Sequence, residues 1–519
     1  MFLFRSADAV AAVIRRGSVA SLLDLIRTRR SLKEMSVMGR LPVHEAAAHG
    51  QEECLRVLLA VIDACDSQAK SPLLLAVEAN HMSCAACLLE KGANPNTSNR
   101  DRETALHKAC EVENADIVAV LLRFGSEVNK RCKQGWTPLH EAVCHSKVEI
   151  CNMLVRAGAR VNHHNIYGIT PLFLAAQTGN EAALSFLLDH GASVNCQASD
   201  GATALYEACK NQHINIVKLL LSHRADANRP NKAGLLPLHV AAKHGFDEIV
   251  SMLIPVTSNF RIIHSGISPL HLAAENNEDE TLKVLIAAGL NVNAQLSPSH
   301  SRLYQDCRTT PLYFAVINGN LETAAMLLQA GADANLDIFQ PVLVAIRQGN
   351  IEMVRLLVEY GANVNVGMPT LPTTFPAMLI FCMRNPPMLK NLLDNGLCAL
   401  SCFQCKYGDN QHPSVKVSCK DTTGLHKEEC PLQVTLLLDY VGQVNLCAKL
   451  KELLDTHNGW VLIKERTSRC NPHHLGHLCR LAIREKVGQQ RLKLLHLLPL
   501  PHRLIKYLNY AEGCHAFKI

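Results

Sequence analysis

Short apolar blocks separated by polar turns recur along this chain, and the copy beginning at Gly168 shows what each position predicts. It reads Gly168-Ile169-Thr170-Pro171-Leu172-Phe173-Leu174-Ala175-Ala176-Gln177-Thr178-Gly179-Asn180, then Leu184 and Leu187-Leu188, then His190-Gly191-Ala192-Ser193-Val194-Asn195. Thr170 stands where an N-cap belongs and Pro171 at the first helical position, where its missing N–H costs nothing. The pattern predicts a short helix from Pro171 that stops at Gly179. A second amphipathic helix follows to Leu188, ended by Gly191 in the left-handed conformation. The Ala-x-x-Asn segment then turns the chain back outward.

The proline position of this block recurs at Ala9, Pro42, Pro72, Ala105, Pro138, Pro171, Ala204, Pro237, Pro269, Pro311, Pro341 and Pro376. From Pro72 to Pro237 every step is 33 residues. A fixed period of this length marks a stacked array in which each unit contacts only its neighbours, so one solenoid replaces the several domains that 519 residues otherwise suggest. The phase breaks carry information too. The unit at Ala9 opens without its outer finger and reads as a truncated cap. The step from Pro269 to Pro311 is 42, which places an insertion at Gln295 to Arg308. Rich in Ser and Pro, it is expected to be a loop on the finger side, either a recognition element or a tolerated insertion. After Val366 the pattern frays into a weak last unit that ends near Gly396.

Thr137-Pro138-Leu139-His140 is the fullest form of the block, with Ala105-Leu106-His107, Pro237-Leu238-His239 and Pro269-Leu270-His271 close to it. Over residues 5–396 the strand-turn, helix, turn, helix unit resembles the ankyrin repeat. That resemblance implies an all-α solenoid of about eleven to twelve helix-turn-helix units. The chain has 25 His, which raises the question of metal. His44, His107, His140, His239 and His271, however, stand one or more repeats apart, on the order of 10 Å for each step, too far for shared ligation. In ankyrin repeats this His bonds backbone and the neighbouring hydroxyl, so no metal or cofactor is expected.

Composition adds boundaries. Hydrophobic residues make up 48% and charged ones 19%, enough for a packed core. A formal net charge of +6, with no concentrated basic run, gives no footprint for nucleic acid. No window reaches the roughly 20 apolar residues of a membrane span, the best being Leu432 to Val441. Met1-Phe2-Leu3-Phe4 is followed at once by Arg5, unlike a signal peptide. The 21 Cys are scattered through predicted helices, as buried thiols in a reducing compartment would be. Cytoplasm or nucleus is the expected location. None of these Cys sits in a nucleophile motif, and there is no P-loop, dinucleotide turn or zinc-protease signature, so the chain is not expected to be an enzyme.

Residues 397–466 are expected to hold an irregular insertion and then a helical linker, with Leu436, Leu437, Tyr440, Val441, Leu446, Leu450, Leu453 and Leu454 at helical spacing. Within the insertion, Cys402 and Cys405 have zinc-ligand spacing, but Cys419 and Cys430 do not continue it regularly.

The final segment, 467–511, opens with Asn471 as a cap and Pro472 at the first helical position. Leu475, Leu478, Cys479, Ala482 and Ile483 fall on one helical stripe. A second short helix, Leu492 to Leu497, leads to Leu498-Pro499-Leu500-Pro501, and a third carries Leu504, Ile505, Tyr507 and Leu508. The segment resembles a SOCS box, here with three helices. One departure is His474, where a small or hydroxyl residue is usual before the leucine. The order of ankyrin stack then box resembles the ankyrin-repeat and SOCS-box family. That resemblance implies a non-catalytic substrate receptor of a cullin-RING ubiquitin ligase, promoting proteasomal degradation. Leu475, Leu478, Cys479, Ala482 and Ile483 would bind elongin C of the elongin B/C pair. Leu498, Pro499, Leu500, Pro501 and Tyr507 would bind cullin-5 with its RING-box protein. A scaffold with a vestigial box is the alternative. The protein substrate cannot be read from the sequence; the finger tips Lys133-Gln134, Asn165-Ile166-Tyr167, Ala198-Ser199-Asp200 and Lys232-Ala233 are candidates by position.

Overall fold

In the computed structural model, residues 10–27, 39–304, 308–366, 382, 385–402 and 436–441 are described. They belong to two compact units, one ending at Ser265 and the other beginning at Gly266.

In the unit that ends at Ser265, helix pairs repeat: Pro72–Glu78 with Met82–Glu90, Ala105–Glu111 with Ala115–Arg123, Pro138–Cys144 with Val148–Arg156, Pro171–Thr178 with Glu181–Asp189, Ala204–Lys210 with Ile214–Ser222, and Pro237–Lys243 with Asp247–Leu253. Helices this short are marginal alone in water, so their stability comes from packing. First helices stack on first helices and second helices on second ones. Leu106, Leu139, Leu172, Leu205 and Leu238, all at one repeat position, are buried and form the seam of the core. The caps are those expected. Thr170 Oγ1 accepts from Phe173 N–H at 3.2 Å. Gly179 and Gly191 both take positive φ, 80° each.

Two ladders tie one repeat to the next. Asn96, Asn129, Asn162, Asn195 and Asn228 each donate an amide to a carbonyl one repeat onward, as Asn129 Nδ2 does to Gly158 O at 2.9 Å. Their Oδ1 atoms accept a backbone N–H from the same neighbour, as Asn162 does from Ser193 at 2.7 Å. The finger tips form the second ladder: Lys133 N–H donates to Asp101 O, Ile166 to Gln134 O, Ser199 to Tyr167 O and Lys232 to Asp200 O, at 2.7 to 3.0 Å. The strand expected in each finger is absent among the described residues, which show only two isolated bridges, Ser98 with Thr104 and Gln197 with Thr203. The reason is local. Side chains such as Asn165 Oδ1, which accepts from Tyr167 N–H and Ile169 N–H at 2.9 Å each, close the finger as a tight turn and leave no length for strand pairing.

One element was not expected. After Asp247–Leu253 the Gly-Ala-x-x-Asn segment is missing, and a 3-10 turn, Ile254–Val256, leads into a helix, Asn259–His264. It buries Ile262 and leaves Phe260 and Ile263 exposed.

The unit beginning at Gly266 pairs Pro269–Asn276 with Asp279–Ala287, Pro311–Ile317 with Leu321–Gln329, and Pro341–Gln348 with Ile351–Glu359. The helix Pro386–Asp394 buries Met388, Leu389, Leu392 and Leu393. Its repeat is locked by Asn365, which donates to Gly396 O at 3.0 Å and accepts from Cys398 N–H at 2.8 Å. The insertion, expected as a loop, contains the short helix Pro298–Ser301, capped by Ser297. Its following residues fold back: the Tyr304 ring meets Phe314 edge-on with centroids 5.2 Å apart, and the Arg308 guanidinium lies over both rings.

Candidate functional site

The signature histidines come first, because their chemistry decides whether they are free to act. Thr137 N–H donates to His140 Nδ1 at 3.2 Å, the Thr137 hydroxyl lies 2.8 Å from the same nitrogen, and His140 Nε2 reaches Ile169 O at 3.1 Å. A ring that accepts at Nδ1 must carry its proton on Nε2, so both nitrogens are occupied and the imidazole is neutral. His107 repeats this with Thr104 and Trp136 O, and His271 with Ser268 N–H and Thr309 O. His239 turns instead to Ser265 Oγ at 3.2 Å, the hydroxyl that caps the unexpected helix. Burial first of all pulls His140 and His271 down to about 4, and lowers His44 and His107 too. These residues are internal struts. Tyr313 takes the histidine position in the repeat of Pro311, and there Asp337 supplies the bonds: Oδ1 accepts from Thr309 N–H at 2.7 Å and from the Thr309 hydroxyl at 2.6 Å, and Oδ2 accepts from the Thr310 hydroxyl.

The residue after the signature histidine, or after its substitute, forms a row along the first-helix face. In the unit ending at Ser265 the row is Glu45, Leu75, Lys108, Glu141, Leu174, Glu207 and Val240. Glu45 is buried between two arginines and a histidine: Arg15 Nη2 lies at 3.2 Å, Arg40 Nη1 at 3.9 Å and His49 Nε2 at 3.5 Å. Lys108 is held by Glu103 at 3.0 Å and Glu111 at 2.7 Å. Burial opposes its charge, but those carboxylates outweigh it and raise its pKa. With Lys108 so engaged, Glu141 has no bonded cation among the described residues, and burial, followed by Glu111 and Glu103, pushes it up to about 7. Glu207 is 5% exposed at its side chain, and its one ion pair, Oε1 with Lys210 Nζ, is long at 3.4 Å. Its other oxygen, Oε2, is buried without a donor.

In the unit beginning at Gly266 the same row is Leu272, Phe314 and Val344, all buried. Tyr304 and Arg308 cover Phe314, and the Tyr304 hydroxyl donates to Glu275 at 3.2 Å.

Of the finger-tip candidates, Ile166 and Tyr167 stand out as apolar side chains 58% and 54% exposed. Lys133 pairs with Asp101 of the preceding tip at 3.3 Å. The box anchors Leu475, Leu478, Cys479, Ala482 and Ile483, the residues Leu498, Pro499, Leu500, Pro501 and Tyr507, and the cysteines Cys405, Cys419 and Cys430 lie outside the described residues. Cys402 closes a described 3-10 turn, Ala399–Cys402. Sequence reasoning missed Glu141, Glu207 and Asp337. A charged residue directly after the Pro-Leu-His triplet, on an otherwise apolar helix, was the available signal for the first.

Comparison with known proteins gives the family. The family model described as ankyrin repeats matches residues 10–99, 94–165, 157–231, 224–296 and 292–368, and the one described as SOCS box matches 471–509. Ankyrin repeat and SOCS box protein 2 of Rattus norvegicus is 46% identical over 278 residues, 50% of this chain and 44% of the relative. Ankyrin repeat and SOCS box protein 14 of Homo sapiens is 36% identical over 241 residues, 43% of this chain and 41% of the relative. The chain thus spans less than half the length of these relatives. A crystal structure of the human ASB11 ankyrin repeat domain is similar at 30% identity, covering 39% of this chain and 92% of that one, with a TM-score of 0.36. Ladders of Asn and His that lock helix pairs over most of the chain, followed by a matched SOCS box, mean that the chain belongs to the ankyrin-repeat and SOCS-box family.

Proposed function

We propose that this chain is the target-recognition subunit of a cullin-RING ubiquitin ligase. The observation that carries the reading is the joining, in one chain, of an ankyrin array over 10–368 to a SOCS box over 471–509. A rigid array holds the target, and the box recruits elongin B/C and cullin-5 with its RING-box protein. Leu475, Leu478, Cys479, Ala482 and Ile483 enter an apolar groove on elongin C as a helix-in-groove anchor. Leu498, Pro499, Leu500, Pro501 and Tyr507 select cullin-5. The chain makes no bond itself; it raises the effective concentration of target lysines near a ubiquitin thioester that another subunit supplies, and the target goes to the proteasome.

The thiols support a non-catalytic role. Burial pushes Cys84 up to about 11 and Cys151 up to about 12, and raises Cys110 and Cys209, the reverse of what a nucleophile needs. Free thiols of this number also suit the reducing cytoplasm or nucleus.

Co-purification tests the reading. Full-length protein is expected to retain elongin B/C, the pair Leu475→Pro with Cys479→Phe to lose it, and replacement of Leu498 to Pro501 by Ala to lose cullin-5 alone. Failure of the wild type to retain elongin B/C would leave a scaffold with a vestigial box.

A further inference from the structure

The first-helix row of the unit ending at Ser265 holds two carboxylates that the fold leaves short of partners: Glu141 has no bonded cation among the described residues, and Glu207 is paired through one oxygen only. Glu45 shows how the chain treats such a group when it serves only structure: two arginines and the His49 ring surround it. Glu141 and Glu207 occupy the same repeat position without that treatment. Glu141 is flanked by Glu103 and Glu111, whose shared cation, Lys108, is bonded to them and not to it. Glu207 keeps one oxygen buried with no donor, and native structures leave buried polar atoms unmatched seldom and usually for a reason. Among the described residues its one cation is Lys210, whose side chain is 49% exposed. Between the two carboxylates the row holds Leu174, which is buried in the core.

We propose that this row reads a basic, extended segment of the target, with one arginine or lysine of the segment paired to Glu141 and a second to Glu207. The proposal rests on the receptor reading and gives its target a chemical class. A guanidinium suits Glu207 best, because its planar fork takes both carboxylate oxygens once Lys210 has moved aside. Spacing sets the register. Neighbouring helices pack about 10 Å apart, so two repeats span about 20 Å. An extended chain advances about 3.3 Å per residue, which places the two basic residues about six apart. The row of the unit beginning at Gly266 cannot substitute, being Leu272, Phe314 and Val344 with Tyr304 over Phe314.

The test uses the full-length chain purified with elongin B/C and an array of short Ser/Thr/Val peptides carrying two arginines at increasing separation. Binding is expected to peak at a separation of about six residues, to fall about tenfold in Glu207→Gln or Glu141→Gln, and to stay within about twofold in Glu45→Gln, whose charge is already matched. Peptides with citrulline, the neutral isostere of arginine, are expected not to bind, and they keep the test decisive if Glu207→Gln fails to fold. Equal capture of citrulline and arginine peptides, no preference for spacing, or unchanged binding by both glutamine variants would overturn the proposal. Retention of elongin B/C is scored on the same preparations, so a protein that holds elongin B/C and ignores every arginine peptide refutes the groove alone.

Discussion

At one repeat position the two units have taken opposite courses. In the unit ending at Ser265 the row after the histidine carries Glu45, Lys108, Glu141 and Glu207; among the described residues Glu141 has no bonded cation, and Glu207 has a long pair with Lys210 that leaves its Oε2 without a donor. In the unit beginning at Gly266 the row is apolar, and the insertion lays Tyr304 and Arg308 over Phe314. The backbone architecture is the same in both. The difference teaches that an ankyrin scaffold leaves this position uncommitted: it can be sealed from within for stability or left charged for a partner.

Acid should separate the units most. His140 and His271 sit near 4 in the folded chain against an ordinary 6.5. The unfolded chain therefore binds the extra proton between those values, and stability falls as pH drops from 6.5 towards 4. Each such buried histidine contributes about 3 kcal/mol at the limit. In the first unit burial also lowers His44 and His107 beside His140, while in the second unit His271 is so lowered. Hydrogen exchange at pH 4.5 is expected to open helices Ala105–Glu111 and Pro138–Cys144 before Pro341–Gln348; simultaneous opening would break the comparison.

Asp337→Ala comes next. It removes the bonds to Thr309 and Thr310 from a buried site and should cost the second unit about 3 kcal/mol. Denaturant unfolding followed by exchange should show the loss there and leave the helices before Ser265 unchanged.

Glu141→Gln should act in the opposite direction. Its folded pKa of about 7 lies above the ordinary 4.5, so its charge destabilises the fold increasingly as pH rises from 4.5 through 7. Removing the charge is expected to stabilise the first unit by about 1 to 2 kcal/mol at pH 8 and to change nothing at pH 4. Melting curves at the two pH values give the sign. Tyr304→Ala should have the smallest effect, about 1 kcal/mol lost from the second unit as Phe314 loses its edge-on partner.

Much of this was legible from sequence because the period of 33 residues, the Thr-Pro pairs and the glycine stops are local signals. The role of the signature histidines followed from the ankyrin resemblance. The helix Asn259–His264 was not legible, since a missing Gly-Ala-x-x-Asn says only that the usual turn is absent. The fold-back of Tyr304 onto Phe314 depends on a contact across the insertion, which no periodicity encodes. Glu141 and Glu207 carry no local signal of their surroundings; the burial of Glu207 and the carboxylates beside Glu141 arise only when neighbouring helices pack beside them. The box residues were readable as a stripe, and their structure lies outside the described residues.

The finger-tip ladder has a consequence for how such a protein changes over generations. Each of these tips is bonded to the next through its main chain, as Ser199 N–H is to Tyr167 O and Lys232 N–H to Asp200 O. Gly168 and Gly201 are fixed, since a Cβ there would lie 3.0 Å from Ser199 N and 2.8 Å from Lys232 N. Ile166 and Tyr167, by contrast, carry no share of that bonding through their side chains. Inherited substitutions at Ile166 and Tyr167 can therefore drift one residue at a time without unfolding the array, and a lineage can change the chemistry of this surface while keeping the same skeleton.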